Sequence, residues 1–478
     1  MQIKSFILSA ASALALSACA AGPDLETSPL PAAAKEASGP FLSAEDAVVK
    51  PSPLPAQWWR LYDDPVLDGL VKDALTANTD IRQATARIAR ARAILRGARS
   101  DRLPQVGLSA SGGYSRLAED QVPSGGDRSG AAFSIGADLS YEVDLFGRVS
   151  KAVDAARQDV SAAQANADAV RVMVVADTTR AYADAASIAA RIALEKSIIG
   201  LLDDTLRLTR HRHDVGLTDG LAVARIETLR DQRAATVPAL EAERNAALFA
   251  LATLTGRTPS ELPAISGERN IPLEIKAPLP VGDGSELLAR RPDVRAAEKR
   301  LLADFARIGV ARADLYPRIT LGGSIGSSAS SIGNLFSGGP LGLLLGPLID
   351  WAFPNREPVL ARIDMADAEA DESLAAFDGA VLSALQETET ALSDYARALD
   401  QRRLLTAAEQ AAQKAARITR AQNREGVIDS LQTLEAERTL AETQAALAEQ
   451  DGLVSRRQIA LFRALGGGWS NTAQEPVR

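Results

Sequence analysis

The stretch that decides the fold is Phe133–Arg148, which reads FSIGADLSYEVDLFGR. Apolar side chains take one parity over about a dozen residues, and small or polar side chains take the other. This alternation predicts a strand with one apolar face and one polar face. Its length is about the 9–11 residues that a tilted strand needs to cross a bilayer. The polar positions that we expect to face water are Ser134, Asp138, Ser140, Glu142 and Asp144.

Composition excludes several classes of function. The chain has 478 residues and a formal net charge of −8, which argues against a nucleic-acid-binding surface because such surfaces are basic. The sequence has no glycine-rich phosphate loop and no HExxH or GxSxG motif. His211 and His213 stand two positions apart, so they do not share a helical face as metal ligands would. We therefore expect no enzyme, no cofactor and no metal site.

The N-terminus has the pattern of an export signal. Lys4 precedes a short apolar segment and small residues follow, which predicts a signal peptide over residues 1–18. The tetrapeptide LSAC at 16–19 resembles a bacterial lipobox, in which the cysteine becomes the lipidated first residue of the mature chain. Cys19 is the single cysteine, so no intrachain disulfide can form. The residue after it is Ala20 and not aspartate, which by the same resemblance implies a palmitate-bearing lipoprotein of the outer membrane.

Proline spacing and helical periodicity divide the mature chain. Residues 19–63 are rich in proline and predict a lipidated, extended N-terminal arm. The first repeat, 64–256, has hairpin strands at about 104–118 and 131–145 and long helices at about 149–214 and 221–254. We expect Pro238 to interrupt the second of these helices. A linker at 257–284 leads to the second repeat at 285–466, with strands at about 317–328 and 339–353, long helices at about 356–424 and 430–465, and a C-terminal tail at 467–478.

Corresponding residues recur at nearly constant offsets. Gly216 and Gly426 lie 210 positions apart, and Pro104 and Pro317 lie 213 apart. We infer a duplicated unit of helix, β-hairpin, long helix and return helix. Four strands cannot close into a barrel, and each unpaired backbone group in lipid costs roughly several kcal/mol. Closure therefore requires further copies of the chain.

This duplicated unit behind a lipobox resembles the TolC-like outer-membrane factors, and specifically the lipoprotein branch that serves tripartite RND-type efflux systems. The resemblance implies a mainly α fold with a membrane β-barrel portion. In it, a homotrimer with four strands per chain forms a twelve-stranded barrel that continues as an α-helical periplasmic tube. The implied partners are a periplasmic adaptor (membrane fusion) protein, an inner-membrane RND-type transporter and outer-membrane lipid. The motifs that carry the resemblance are Gly22-Pro23-Asp24, Asp63-Asp64-Pro65-Val66-Leu67, Asp144-Leu145-Phe146-Gly147-Arg148, Arg290-Arg291-Pro292-Asp293-Val294 and Tyr316-Pro317.

The resemblance implies a channel that passively conducts small toxic solutes or drugs out of the cell, as in multidrug resistance. A second function with the same architecture is the exit duct of a type I protein secretion system. A third, of another class, is a periplasmic coiled-coil scaffold lipoprotein without a pore. Strand parity discriminates against the scaffold, because a scaffold has no need for four bilayer-length strands.

The family closes its periplasmic end with acidic residues shortly after a glycine, and this implies candidate gate positions. The position six after Gly426, where relatives often carry aspartate, holds Gln432, and Glu435 follows three residues later. Asp219 and Asp429, each three after a glycine, are further gate candidates, although either also suits the N-cap of the following helix. Three copies of a carboxylate around a narrow aqueous mouth repel one another and attract cations.

Overall fold

The computed structural model describes residues 39–44, 48–116, 118, 128–337, 341–428 and 430–467. The signal peptide, Cys19, Asp429 and the tail beyond residue 467 lie outside the described residues. The helices are α1 (Pro65–Ala77), α2 (Thr79–Ser100), α3 (Arg148–Asp214), α4 (Gly220–Leu254), α5 (Gly284–Arg290), α6 (Pro292–Ala313), α7 (Glu357–Arg424) and α8 (Ser430–Ala464). The strands are β1 (Val49–Lys50), β2 (Gln105–Arg116), β3 (Ser129–Glu142), β4 (Leu279–Pro280), β5 (Arg318–Ala329) and β6 (Leu341–Asp350).

Contacts divide the chain into two units. The sheet unit comprises Arg87–Gln164 and Ala296–Phe377, and the helical unit comprises Ala165–Arg295 together with residues 39–86 and 378–467. Among the residues with assigned structure, no helix combines the length and the apolar composition that crossing a membrane requires.

The sheet unit contains a four-stranded antiparallel sheet in the order β2–β3–β5–β6. Directly paired residues share a face, so the alternation of β3 extends across the whole sheet. One apolar row runs through Leu108, Ala137, Ile325 and Leu343, and the adjoining row on the other face begins with Gly107 and Asp138 and continues through Ser324 and Leu344. Within the described part of the chain, β2 and β6 each have one strand neighbour, so each presents an open edge.

The helices that flank the sheet pack in two equivalent pairs. Leu95 of α2 packs against Val153 of α3, and Ile308 of α6 packs in a cluster with Ala366 of α7. Leu95 and Ile308 are 213 positions apart, as are Val153 and Ala366. The duplication inferred from the sequence is therefore repeated in the packing of the two halves, which carry the same helix, hairpin and long-helix order.

Two strand ends differ from the sequence predictions. β3 ends at Glu142 rather than near residue 145, because Asp144 turns to the next helix: its carboxylate accepts hydrogen bonds from the N–H groups of Val149 and Ser150 at 2.9 and 2.8 Å. The first turn of a helix leaves such N–H groups without intrahelical partners. β6 ends at Asp350 rather than near residue 353.

The helical unit is built around a core to which the end of the N-terminal arm contributes. Trp58, in a short 3-10 helix at Trp58–Tyr62, is buried and stacks on Phe462 of α8 with ring centroids 4.7 Å apart. β1 pairs in parallel with β4. The last part of the arm is therefore folded onto the core, whereas the sequence predicts an extended segment through residue 63.

Pro238 does not interrupt α4, in contrast to the sequence prediction. The helix continues through it to Leu254. A proline inside a helix removes one backbone hydrogen bond and strains the preceding turn. On either side of Pro238, Val237 and Leu240 pack against Ile188 and Ile192 of α3, and this apolar contact compensates for the lost bond.

Candidate functional site

The side chains on the polar face of the sheet are small. Ser134 lies opposite Ser111 on β2 and Ser328 on β5, and the hydroxyl oxygens of Ser134 and Ser111 are 2.8 Å apart. Asp138 and Ser140 follow on the same face of β3. A Cβ atom at Gly322 on β5 would lie 2.9 Å from Cδ1 of Leu348, so a larger residue there would displace the end of that flexible side chain. Because these side chains are small, this face can border water and leave the adjoining space open.

The β6 part of this face is less polar. Leu344 pairs with Ser324, and Leu348 pairs with Thr320, so both leucines share the face of the serines. Gly342 and Gly346 alternate with them on this face. The surface that the sheet offers is therefore mostly small and uncharged, with a few carboxylates and a leucine-lined side.

A cluster of charged residues lies where β3 ends and β5 begins. Glu142 accepts two hydrogen bonds from Arg148, from Nε at 2.7 Å and from Nη2 at 2.5 Å. Arg318 is 4.0 Å from Glu142 and 3.3 Å from Asp314, which also pairs with Arg362 at 3.5 Å. The hydrogen bonds to Glu142 raise the pKa of Arg148, while partial burial opposes the shift. The cluster lines a cleft of 200 Å³.

Sequence reasoning placed Glu142 and Asp144 on the polar face but missed this cluster. Glu142 and Arg148 are six positions apart across a turn, a spacing that predicts no contact in a strand or a helix. The turn brings them together because Gly147 has a φ of 78°, which other residues adopt only with strain. Gly147, directly before Arg148, was the one sequence feature that could have indicated this turn.

The two long helical hairpins end in equivalent turns, which we call the tip turns (residues 214–219 and 424–428). Gly216 and Gly426 have φ values of 77° and 73° and end α3 and α7. In the first turn, Nδ1 of His213 lies 3.0 Å from the carbonyl oxygen of Thr218, and in the second, Nδ2 of Asn423 donates to the carbonyl of Ile428 at 3.3 Å. His213 and Asn423 are 210 positions apart, so the duplicated turns are held by different side chains.

Ion pairs close each hairpin just before its tip turn. Arg210 pairs with Glu227, and Arg420 pairs with Glu437 at the equivalent place in the second repeat. The hydrogen bond that Arg420 donates to Glu437 raises the pKa of Arg420. The ends of α3 and α7 are linked by Arg212, whose Nη1 lies 3.5 Å from Oδ1 of Asn423.

The structure brings some of the predicted gate residues to this region. Asp219 accepts a hydrogen bond from the N–H of Ala222 at 3.1 Å, so it occupies the N-cap position of α4. Gln432 and Glu435 are exposed on the first two turns of α8. A cleft of 340 Å³ lies between the start of α4 and the start of α8, lined by Asp219, Arg225, Leu431 and Leu434 among others. A gating role for these residues stays a prediction.

Glu435 has a cationic neighbour on its own helix. Arg438 donates a hydrogen bond to Glu442 at 2.9 Å. That bond, together with the charges of Glu442 and Glu435, raises the pKa of Arg438. Glu435 and Glu442 are both exposed, and Glu442 is the one that forms a direct ion pair with Arg438.

Comparisons with known proteins agree over nearly the whole chain. A family model described as outer membrane efflux protein matches residues 70–257 and 284–467. Outer membrane protein OprJ of Pseudomonas aeruginosa is 32% identical over 463 residues, which cover 96% of this chain and 94% of OprJ. The toluene efflux pump outer membrane protein TtgF of Pseudomonas putida is 30% identical over 487 residues, 99% of each chain. The solved structure of the outer-membrane channel OprN superimposes with a TM-score of 0.87 at 34% identity and covers 94% of this chain and 100% of that one.

Proposed function

The chain belongs to the outer membrane efflux protein family and is an outer-membrane efflux channel, and we propose that it works as a homotrimer that forms the exit duct of a tripartite pump. Each copy contributes the four strands of its sheet to one twelve-stranded barrel. One hairpin comes from the first repeat, 64–256, and the other from the second repeat, 285–466. The long helices continue the duct into the periplasm. A scaffold without a pore does not fit this family.

The observation that supports closure by further copies is the two-faced sheet with two open edges in the described part of the chain, and the number three is taken from the family. Each unpaired N–H or C=O group on β2 and β6 would cost roughly several kcal/mol in hydrocarbon. Pairing β6 of one copy with β2 of the next removes these edges. The apolar face, with Leu108, Ile325 and Leu343, then meets lipid, and the face with Ser134 and Asp138 borders a water-filled lumen.

The lumen surface supports a small solute as cargo. Small serine and glycine side chains leave the passage open, and Leu344 and Leu348 add an apolar side to it. The relative TtgF is named as part of a toluene efflux pump. We propose that this channel likewise carries small, partly apolar toxic molecules, delivered through a periplasmic adaptor protein from an inner-membrane RND-type transporter.

Planar-bilayer recording tests the channel. Purified protein is expected to insert in uniform current steps, with more cation than anion conductance because of the carboxylates on the lumen face. The same preparation heated until the oligomer dissociates is the control and is expected to be silent. Native protein that binds lipid but produces no current steps would contradict the proposal.

We propose that the mature protein is also anchored by lipid on Cys19, which lies outside the described residues. Each acyl chain contributes about 0.8 kcal/mol per buried methylene, so two or more chains give stable anchoring. Mass spectrometry of the N-terminal peptide is expected to find an acylated Cys19 in the wild type and no acylation in Cys19→Ser. A mature N-terminus at another residue would exclude the anchor.

Glu435 is the position at which we expect the gate to be most sensitive. Glu435→Ala removes three exposed carboxylates from the proposed periplasmic mouth, so cation selectivity is expected to fall and closures to become shorter in single-channel recordings. Glu442→Ala on the same helix is the matched control, because Glu442 is paired with Arg438. Equal changes in the two variants would remove Glu435 from the gate.

A further inference from the structure

A short turn covers part of the apolar face of the sheet. The 3-10 helix Ile332–Phe336 lies in the connection between β5 and β6. Its residues Leu335 and Phe336 border a cleft of 370 Å³. The rest of that cleft is lined mainly by residues of the apolar parity, which include Leu108 of β2, Ile135 of β3 and Ile325 of β5. The turn therefore lies over the sheet and does not simply extend beyond its end.

A polar contact holds the turn in this position. Ser327 lies on the apolar face, opposite Ile135 and Leu341. It is only 7% exposed, and its hydroxyl donates a 2.6 Å hydrogen bond to the carbonyl oxygen of Leu335. A hydroxyl and a carbonyl that face hydrocarbon both need a partner. Here the Ser327 hydroxyl and the Leu335 carbonyl are each other's partner, on a face that is otherwise apolar at this level of the sheet.

Part of the backbone of the turn is also paired from within. The N–H of Asn334 donates to the carbonyl of Ser331, and the N–H of Ser337 donates to the carbonyl of Asn334, both at 3.2 Å. Polypeptide that enters a bilayer must pair its backbone groups internally. These two bonds pair the carbonyls of Ser331 and Asn334 in the way that a helix does.

Two large apolar side chains on the outside of the turn are exposed in the described part of the chain, alongside the exposed polar residues Ser331 and Asn334. Ile332 is 61% exposed and Phe336 is 79% exposed. Phe336 borders the same cleft as Leu108 and Ile325, so it extends the apolar face of the sheet outward. A large exposed apolar patch usually marks a binding surface. This patch is continuous with the apolar face of the sheet, which meets lipid in an outer-membrane channel. The continuity indicates that lipid covers the patch.

We propose that the turn Ile332–Phe336 is embedded in the bilayer, and that an acyl chain of a membrane lipid occupies the cleft between Phe336 and the apolar face of β3 and β5. The proposal rests on the proposed function for the assignment of this face to lipid. The turn acts as a clip that places a ridge of apolar side chains on the outside of the barrel, where lipid packs around it.

Depth-dependent quenching tests the clip. Full-length Phe336→Trp, Ile325→Trp and Ser324→Trp are reconstituted in phosphatidylcholine vesicles with and without dibrominated acyl chains, and the wild-type emission is subtracted. Ile325 and Ser324 are neighbours on opposite faces of β5. Trp emission from the Phe336→Trp variant is expected to be blue-shifted and quenched by the same fraction as that of Ile325→Trp, while Ser324→Trp is quenched much less.

The outcomes separate the clip from the channel. If Phe336→Trp is as weakly quenched as Ser324→Trp while Ile325→Trp is strongly quenched, the face assignment stands and the clip is excluded, because the turn then lies in water or against protein. If Ile325→Trp and Ser324→Trp are quenched equally, the assignment of the two faces fails, and the proposed barrel fails with it.

Discussion

Lysine in place of Ile135 is expected to abolish assembly of the channel in the membrane, whereas lysine in place of the adjacent Ser134 is expected to leave assembly intact and to reduce cation conductance. Ile135 lies near the middle of β3 on the apolar face. A lysine facing lipid near the bilayer midplane costs about 2–4 kcal/mol. In a trimer that cost is incurred three times, which is comparable to the whole stability of many domains.

Ser134→Lys is the matched variant because it makes the same substitution one residue away on the other face. Ser134 contacts Ser111 through its hydroxyl, a bond worth about 1 kcal/mol. Its replacement adds a positive charge to the proposed lumen, which repels cations. Outer-membrane fractionation with gel analysis of the heat-resistant oligomer measures assembly, and planar-bilayer recording measures selectivity. Loss of the oligomer in both variants, or in neither, would contradict the two-faced sheet.

Asp64→Ala is expected to destabilise the helical unit by about 3–5 kcal/mol, which is the usual cost of removing one partner from a buried charged pair. The Asp64 carboxylate is buried and accepts hydrogen bonds from the N–H groups of Val66 and Leu67 at the start of α1. It also accepts a bond from the hydroxyl of Tyr182 at 3.0 Å and one from Arg269 at 2.9 Å. One carboxylate therefore joins α1, α3 and the segment that follows α4.

Removal of the Asp64 carboxylate would leave several groups without this partner. Arg269 would remain partly buried without its counter-charge, and the Tyr182 hydroxyl would lose its acceptor. Burial, and then the charge and hydrogen bond of Asp64, raise the pKa of Tyr182 well above its usual value, so this hydroxyl is a donor throughout the physiological pH range. Thermal unfolding followed by circular dichroism in detergent measures the effect as a lower transition temperature.

Asp73→Ala on the same helix is the control for Asp64→Ala. Asp73 pairs with Arg257 at 2.9 Å, and the Asp73 side chain is 42% exposed whereas that of Asp64 is 5% exposed. Surface pairs of this kind contribute about 0–1 kcal/mol. A transition temperature that falls as much in Asp73→Ala as in Asp64→Ala would show that the buried network has no special role.

The sequence predicted the elements that depend on local pattern. The period-two alternation at Phe133–Arg148 identified β3 and its two faces, and the register with β2 and β5 extends those faces as expected. The glycines at 216 and 426 identified the ends of α3 and α7, because a left-handed residue ends a helix at low cost only when it is glycine. Family membership and the channel function were likewise predicted from motifs in a fixed order.

The sequence did not predict contacts that depend on how separate segments meet. Asp144 continues the polar parity of β3, yet it caps α3, because the N–H groups of the next helix compete for its carboxylate. The pair of Glu142 with Arg148 depends on the turn at Gly147, and the contact of Ser327 with Leu335 depends on a connection folding back onto its own sheet. No periodicity records such contacts.

For this protein, the sequence alone determined the duplicated order of helices and strands and which residues of each strand share a face. Both follow from spacing along the chain, since side chains alternate in a strand and recur every 3.6 residues in a helix. Tertiary structure alone decided where β3 ends, which charges meet at its end and which part of the apolar face is covered. Those features depend on competition among distant donors and acceptors for the same partners, and that competition is settled only when the chain is folded.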